Sequence, residues 1–365
     1  KPTWLLQTLR IMPFRSSGRP SRYGALNAFM VQSEDPTDIL TEELKQKART
    51  SIGNPLETPV IDSDADITIG NTRTLTIADS ENTSKMVQIT FATYAWGFTI
   101  APAMYMNNEI GIQRDFETKM MKYIYKFAQK LDEVALAALA ANKTQVLKNK
   151  LLYDFSTNAV NAKWLERENV FGDLEVMMGA NDFFGQLHII GDPGVESIMR
   201  KLEQHGLYND ENKQNEFGNK IVHLTNNLAA TPGKYAQGYA VNAGSLGMLT
   251  RFERDCLLGT VSGDGHEWGI ATLPLLNMPV GTYFYDSVGD YHTIAGAATG
   301  DMVRTRKEHY GFAVDVAFLT SYNSDNTTLP SPILAFNISS ENAAYAKPVV
   351  VVNSEKSPVN TKTIA

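Results

Sequence analysis

Between about Asn108 and Val146 the apolar positions recur in steps of four and three: Ile112, Phe116, Met120, Ile124, Phe127, Leu131, Val134 or Ala135, Ala138 and Leu139. That spacing is one face of an α-helix. No Pro or Gly interrupts the chain after Ile112. Asp115 and Glu117 lie near the start, and Lys143, Lys148 and Lys150 near the end, in keeping with the helix macrodipole. Some 35 residues at 1.5 Å each span about 50 Å, more than an ordinary globular helix. A coiled coil would need sustained a and d heptads. The Ala-rich end from Ala135 to Ala141 fits close packing on a sheet or another helix better.

Ahead of this helix the period is two. From Leu56 to Ile100, Ile67 and Ile69, then Leu75 and Ile77, alternate with polar residues on either side of Gly70-Asn71, a hairpin signal. Val87, Ile89 and Phe91 continue the alternation. The hairpin is rich in Thr and buries little by itself, so it is expected to project and to pack against a neighbour. Before it, Asp35 as N-cap, Pro36 in the first turn, Glu42 and Glu43 predict a helix whose apolar face is Ile39, Leu40 and Leu44. Glu43 and Lys47 support it, and Gly53-Asn54-Pro55 ends it.

After the long helix, Trp164 to Met178 reads as helical with Leu165, Val170, Leu174 and Met177 or Met178 inward, closed by Gly179. His188-Ile189-Ile190 reads as a buried strand. Asp192 caps a further helix carrying Val195, Ile198, Met199 and Leu202 and ending at Gly206. Strands are predicted at Lys220–Leu224, Tyr239–Leu249, Phe312–Tyr322 and Ile333–Ile338. Leu258 to Tyr285, with Gly259, Gly263, Gly265, Gly269, Pro274 and Pro279, reads as loop-rich, and the tail beyond Ser339 is polar apart from Val349–Val352.

Composition changes this picture in two ways. At 365 residues and 43% hydrophobic side chains, the chain is long enough for two or three folded domains, and a compact monomer would expose roughly 14,500 Å². One cysteine, Cys256, excludes an internal disulfide framework and any cysteine-based zinc site; beside Leu257 and Leu258 it reads as a small buried apolar residue. No apolar run is long enough to span a membrane. The net charge of −7 is uneven. Residues 1–23 carry Lys1, Arg10, Arg15, Arg19 and Arg22 and no acid, and their Pro2, Pro13, Gly18 and Pro20 make them extended. The next forty residues are acidic, with Asp62, Asp64 and Asp66 at their end. Such an arm fits nucleic acid, an oppositely charged subunit surface, or a solvated tail. It lacks the apolar stretch of a secretory signal.

No catalytic or metal-ligating constellation stands out. His266-Glu267 has Ile270 and Ala271 where a zinc helix motif needs its second His. Asp62, Asp64 and Asp66 imitate the start of a calcium loop, but no Gly follows Asp66 and the twelfth position is Arg73. The glycine-rich stretch from Val261 to Gly269 lacks the Lys-Ser or Lys-Thr of a phosphate loop, and the six histidines share no ligand spacing. The marked features are a charged arm, a projecting hairpin and a very long helix, which serve interaction rather than chemistry.

In that order these parts resemble the α+β major capsid proteins of tailed bacteriophages with the Hong Kong 97-type fold. The resemblance implies an N-terminal arm over residues 1–53, an extended hairpin (the E-loop) over 54–100, and a peripheral domain with its spine helix over 101–186. It also implies an axial domain over 187–304, a return to the peripheral domain over 305–345 and a C-terminal tail over 346–365. Leu187-His188-Ile189-Ile190-Gly191-Asp192-Pro193 with Val195 to Leu202 resembles the family's strand and helix, and Gly238 to Gly247 its later β segment.

The family implies a virion protein, not an enzyme. It assembles in the host cytoplasm with copies of itself, as hexamers and pentamers, into an icosahedral shell around double-stranded DNA held by weak contacts. Scaffold, portal and decoration proteins are implied partners, membranes and cofactors are not, and many members lose an N-terminal scaffold segment. The contact candidates between subunits are Arg10, Arg15, Arg19, Arg22, Asp62, Asp64, Asp66, Arg73 and Lys85. Three other readings stand beside this one: an encapsulin-like compartment shell, a mixed α/β enzyme with its site in the 262–268 loop around His266, and a β-rich tail or adhesion module, against which the long helix argues.

Overall fold

A computed structural model describes residues 23–34, 41–50, 56–62, 83–102, 109–143, 153–156, 158–206, 220–259, 265–273, 276–293, 302–321 and 331–341. In chain order the elements are α1 (Gly24–Glu34), α2 (Glu42–Thr50), β1 (Leu56–Asp62), β2 (Thr83–Ile89), β3 (Ala92–Ile100), α3 (Glu109–Ala141), β4 (Asp154–Ser156), β5 (Ala159–Ala162), α4 (Val170–Gly179), β6 (Leu187–Gly191) and α5 (Pro193–Gly206). They continue with β7 (Lys220–Leu224), β8 (Lys234–Asn242), β9 (Leu246–Arg251), α6 (Arg254–Leu258), β10 (His266–Leu273), β11 (Met278–Thr293), β12 (Met302–Thr320) and β13 (Ile333–Ser339).

The strands form three sheets. β4-β5-β13-β8-β6-β7 make a six-stranded sheet, β10-β11-β12-β3 make a second to which β9 adds along β12, and β1-β2 stand as a separate two-stranded ribbon. In the six-stranded sheet the β13–β5 and β6–β7 pairs are parallel and the others antiparallel. Both of its faces are buried. Leu334, Phe336 and Ile338 of β13 pack with α4 and α5, while Ile333 and Ala335 face the core shared with α1 and α3. Strands buried on both faces read as continuous apolar runs, and β6 is buried along its whole length. The second sheet is covered by α3 on one face only. There Phe312, Val314 and Val316 of β12 point inward between less buried neighbours.

The long helix joins the two sheets. Its 33 residues rise about 50 Å. Phe116, Met120, Ile124, Phe127 and Leu131 pack on the second sheet, and Ala135, Leu136 and Leu139 pack with α1 and the six-stranded sheet. The apolar face predicted from spacing is the buried face, with Ala135 rather than Val134 inward. On the second sheet the core is aromatic: Trp96 stacks on Phe312 at 4.2 Å between ring centres and on Tyr123 at 5.7 Å, and Phe98 meets Phe116 edge-on. Towards the six-stranded sheet the side chains shrink, and Ala135 faces the core that holds Ala25 and Ala28 of α1.

Where α3 passes from one sheet to the other it carries Asp132, fully buried. Its carboxylate accepts the Leu26 backbone N–H at 2.9 Å, the Thr225 hydroxyl at 2.6 Å and the Asn227 amide at 2.8 Å. Leu26 lies in the first turn of α1, whose N–H groups have no intrahelical acceptor. Asp132 thus caps α1 across the tertiary structure and ties it to the segment leaving β7. Burial is the larger influence on the carboxyl and raises its pKa, while the hydrogen bonds pull it down.

The N-terminal region departs from expectation. Residues 24–34 form α1 where only an extended arm was predicted. This helix has no acid in its first turn and no base in its last, and it is buried at Ala25, Leu26, Ala28, Phe29 and Gln32. Its capping partners come from α3, so no local pattern announces it. The next helix, α2, starts at Glu42, with Thr41 Oγ1 accepting the Leu44 N–H at 3.3 Å and Lys45 paired to Glu42 at 3.2 Å. Asp35, Pro36, Ile39 and Leu40 lie outside the described residues, as does the Gly70-Asn71 turn.

Two further expectations fail. The helix predicted from Trp164 begins at Val170, after a short 3-10 turn over Trp164–Glu166, and Leu165 is 86% exposed instead of inward. The stretch from Leu258 to Tyr285 is largely strand, since β10 and most of β11 lie in it. Gly269 and Gly281 sit within these strands and not at turns. A Cβ at Gly281 would come within 2.8 Å of Cys256 Sγ, so this glycine marks close packing of α6 on the sheet.

The sheets also cut across the linear division of the chain. β4 and β5, before residue 186, and β13, after 304, belong to the six-stranded sheet, whereas β10 and β11, before 304, lie in the sheet under α3. Strand partners are chosen by exposed backbone edges and apolar faces, not by order in the chain, so each sheet draws strands from both sides of every proposed boundary.

The ribbon keeps full register, from Leu56 opposite Ile89 to Asp62 opposite Thr83. Its root is apolar: Leu56 and Ile89 pack with Leu44 and Ala48 of α2, Leu249 of β9 and Ala317 of β12. Arg251 adds a cation–π contact, with its guanidinium 4.2 Å from the Phe91 ring centre while its Nε donates to Asp315 at 2.9 Å.

Asp132→Ala leaves three buried donors without an acceptor. It should cost about 3 kcal/mol or more, roughly 1 kcal/mol for each orphaned donor, read as a lower urea midpoint at unchanged slope; a loss under 1 kcal/mol would refute the capping role. Leu249→Ala removes a buried side chain from the ribbon root and should cost about 2–4 kcal/mol. Hydrogen exchange should speed up in residues 83–89 and stay slow in 116–131; equal acceleration in both would show that the ribbon is not separately rooted.

Candidate assembly surfaces

Two surfaces are built to meet another molecule. The first is the ribbon. A two-stranded ribbon with no third strand or packed helix along its length is marginal in water. Among the described residues, only the root of this one enters a core cluster. At Met86, 58% exposed, an apolar side chain already stands in solvent.

The contact candidates read from the sequence fall partly here. Asp62 ends β1 opposite Thr83, and Lys85 lies in β2 opposite Val60, so both sit on the ribbon beyond its root. Arg10, Arg15, Arg19, Arg22, Asp64, Asp66 and Arg73 lie outside the described residues. The structure therefore brings Asp62 and Lys85 onto one element and leaves the pairing of the arm with the acids a matter for experiment.

The second surface is the face of the β10-β11-β12-β3 sheet turned away from α3. Strict alternation puts Phe98, Tyr310, Phe312 and Val280 against α3, so their sequence neighbours face the other way. Four residues in direct register make a row across this outer face: Thr99 pairs with His309, His309 with Tyr285, and Tyr285 with His266. Tyr285 stacks on His309 at 4.3 Å and 6° between ring planes, and His266 lies between Tyr283 and Tyr285. His309 is held from both sides, by Thr99 Oγ1 at 3.1 Å and Ser287 Oγ at 2.8 Å.

Beside the row lies an open groove of about 420 Å³. Trp268 and Tyr283 wall it, Gly281 and Gly311 are in its floor, and Glu253 and Cys256 come from α6. Bare glycine lets the floor lie flat, and the aromatic wall offers a ring face to an incoming side chain. Cys256 is no nucleophile here. Burial is the main cause that pushes its thiol pKa up, and the charges of Glu253 and Asp255 push the same way. His266 opens β10 rather than lying in a glycine loop, and its Nδ1 is hydrogen-bonded to the Tyr283 hydroxyl. The groove is thus suited to binding a chain, and its thiol stays protonated at neutral pH.

Sequence reasoning missed two histidine arrangements. His266 and His309 flank Tyr285, and His188 and His223 form a buried stacked pair. A two-residue alternation through Tyr283, Tyr285 and Ser287 was available as a signal and was masked by the glycines around it. Among the described residues, no three His, Cys, Asp or Glu side chains group as metal ligands, and no helix is long and apolar enough to cross a membrane.

No family model matches the chain, and no curated protein matches its sequence. Solved structures align with it at low identity. The capsid structure of the cyanophage P-SCSP1u is 10% identical, with a TM-score of 0.44 over 80% of this chain and 85% of that one. A structure of Mycobacterium phage Bobi is 11% identical, with a TM-score of 0.44 over 90% and 94%. The capsid of Myoviridae phage XM1 is 13% identical, with a TM-score of 0.39 over 80% and 90%.

Proposed function

We propose that the chain is a structural subunit, the major capsid protein of a tailed bacteriophage, which closes with copies of itself into an icosahedral shell around double-stranded DNA. The observation that carries this reading is the ribbon, a paired element rooted in the subunit by a small apolar cluster. A ribbon of this kind gains stability when a neighbouring subunit covers it, and the 33-residue helix α3 supplies the rigid beam from which it can be held out. Many modest contacts of this sort, repeated around a closed shell, add up to high avidity.

In this reading the ribbon residues Asp62 and Lys85, together with Asp64, Asp66 and Arg73, meet the basic arm of a neighbour through Arg10, Arg15, Arg19 and Arg22 in charge-assisted contacts. The subunits group as hexamers and pentamers, and assembly takes place in the host cytoplasm. Scaffold, portal and decoration proteins are further partners. A net charge of −7 suits an interior that holds DNA without binding it tightly. The residues proposed to act are contact residues and carry no chemistry.

Negative-stain microscopy of the purified full-length chain should show closed particles of uniform size. A monodisperse small oligomer under all assembly conditions would refute the proposal. Deleting residues 1–22 should leave a subunit with unchanged far-UV circular dichroism that no longer closes into particles, and normal shells from the deletion would remove the arm from the assembly contacts.

A further inference from the structure

Between the N-terminal helix and the edge of the six-stranded sheet lies a pair of histidines that the shell reading does not use. His188 of β6 and His223 of β7 are 3% and 4% exposed. Their rings stack 5.3 Å apart with 8° between planes, and His188 Nδ1 lies 3.0 Å from His223 Nε2. The other nitrogen of His223, Nδ1, lies 3.2 Å from the Asn27 amide nitrogen on α1. α1 bears down on this spot. A Cβ at Gly24 would sit 2.7 Å from the His223 carbonyl carbon and 2.6 Å from that of Leu224, and Tyr23 bridges to Thr225.

The hydrogen bonds assign the protons. The Asn27 amide nitrogen can only donate, so His223 Nδ1 accepts and its proton sits on Nε2, which donates to His188 Nδ1. A second proton on His223 must go to Nδ1, where it meets the Asn27 N–H group donor to donor. Turning the Asn27 amide over would restore that hydrogen bond but bring no counter-charge.

The groups around the pair bring none either. Asn27 on α1 is neutral. Tyr239 on β8 is a phenol that burial keeps protonated. Lys220, earlier on β7, is paired with Glu175 at 3.2 Å. On α3 the Asp132 carboxylate is taken up by Leu26, Thr225 and Asn227.

We propose that the His188–His223 pair is an acid-sensitive latch for α1, closed while both rings are neutral and opened when His223 takes a second proton. Its opening frees α1, and with it the chain that leads into it, from the β7 edge. The latch belongs to the fold of the single subunit and holds whether or not the chain forms a shell.

Burial first, and the neighbouring His188 second, push His223 down to about 4 from 6.5. A base whose folded value is depressed stabilises the closed form fully above about pH 6.5, and that stability is lost as pH falls through about 4, roughly 300-fold in the closing equilibrium. Asp132 works the other way. Its pKa is raised by burial, so protonating it relieves its own desolvation and cannot be the source of an acid loss.

The test is hydrogen exchange on the full chain at pH 7 and pH 4, corrected for intrinsic rates. Residues 25–32 should lose about 100-fold or more of their protection at pH 4 while residues 333–339 keep theirs. His223→Gln should hold α1 protection level across the same range. Asn27→Asp, which places a carboxylate beside Nδ1 at a half-buried position, should do the same and covers the case in which His223→Gln does not fold. Equal α1 protection at both pH values in the wild type, or an unchanged acid loss in either variant, would overturn the latch.

Discussion

A carboxylate buried with no water must be given its hydrogen bonds by the protein, and at Asp132 that requirement organises the subunit. The group lies where α3 leaves the aromatic core of one sheet and enters the Ala-lined core of the other. Its three donors come from α1, from the segment after β7 and from Asn227. An orphaned donor or a bare buried charge would cost more than any single apolar contact nearby. Only one placement of α1 satisfies all the groups together, so the polar site chooses the arrangement that the apolar cores then fill.

From that placement the two histidine pairs take different characters. On the open face of the β10-β11-β12-β3 sheet, His266 and His309 are half-buried beside hydroxyl partners and tyrosine rings, and they form part of a flat surface able to receive another chain. Under α1, His188 and His223 are closed off, and burial itself sets the pH at which the contact fails. The same side chain serves as surface in one place and as latch in the other because the desolvation differs.

The proposed shell role draws on the opposite property, surface that the subunit leaves uncovered. The ribbon keeps its register through backbone pairing alone beyond the Leu56–Ile89 root, and the outer sheet face carries Trp268, Tyr283 and a glycine floor with only α6 on it. The interior is satisfied by Asp132 and by two packed cores, while the unsatisfied faces point outward. That division is what a protein gains from partners rather than from its own folding.

How much of this was readable from the chain follows from the range of each interaction. The face of α3, the buried strand β6, the Asp192 cap of α5 and the strands β12 and β13 rest on periodicity and on neighbours within four residues, and all were legible. The helix α1 was not, because its cap is contributed by Asp132, more than a hundred residues away. Nor were β10 and β11, whose glycines are explained by α6 and by cross-strand partners instead of by turns. Asp62 and Lys85 were recognisable as charged hairpin residues, but their register on the ribbon needed the pairing itself. The amino-acid order by itself determined which faces are apolar, where helices cap and how long the central helix runs, since these depend on local spacing. Only the tertiary structure decided which sheet each strand joins, which histidines meet and what Asp132 holds, since hydrogen bonding and desolvation act between residues that the chain keeps far apart.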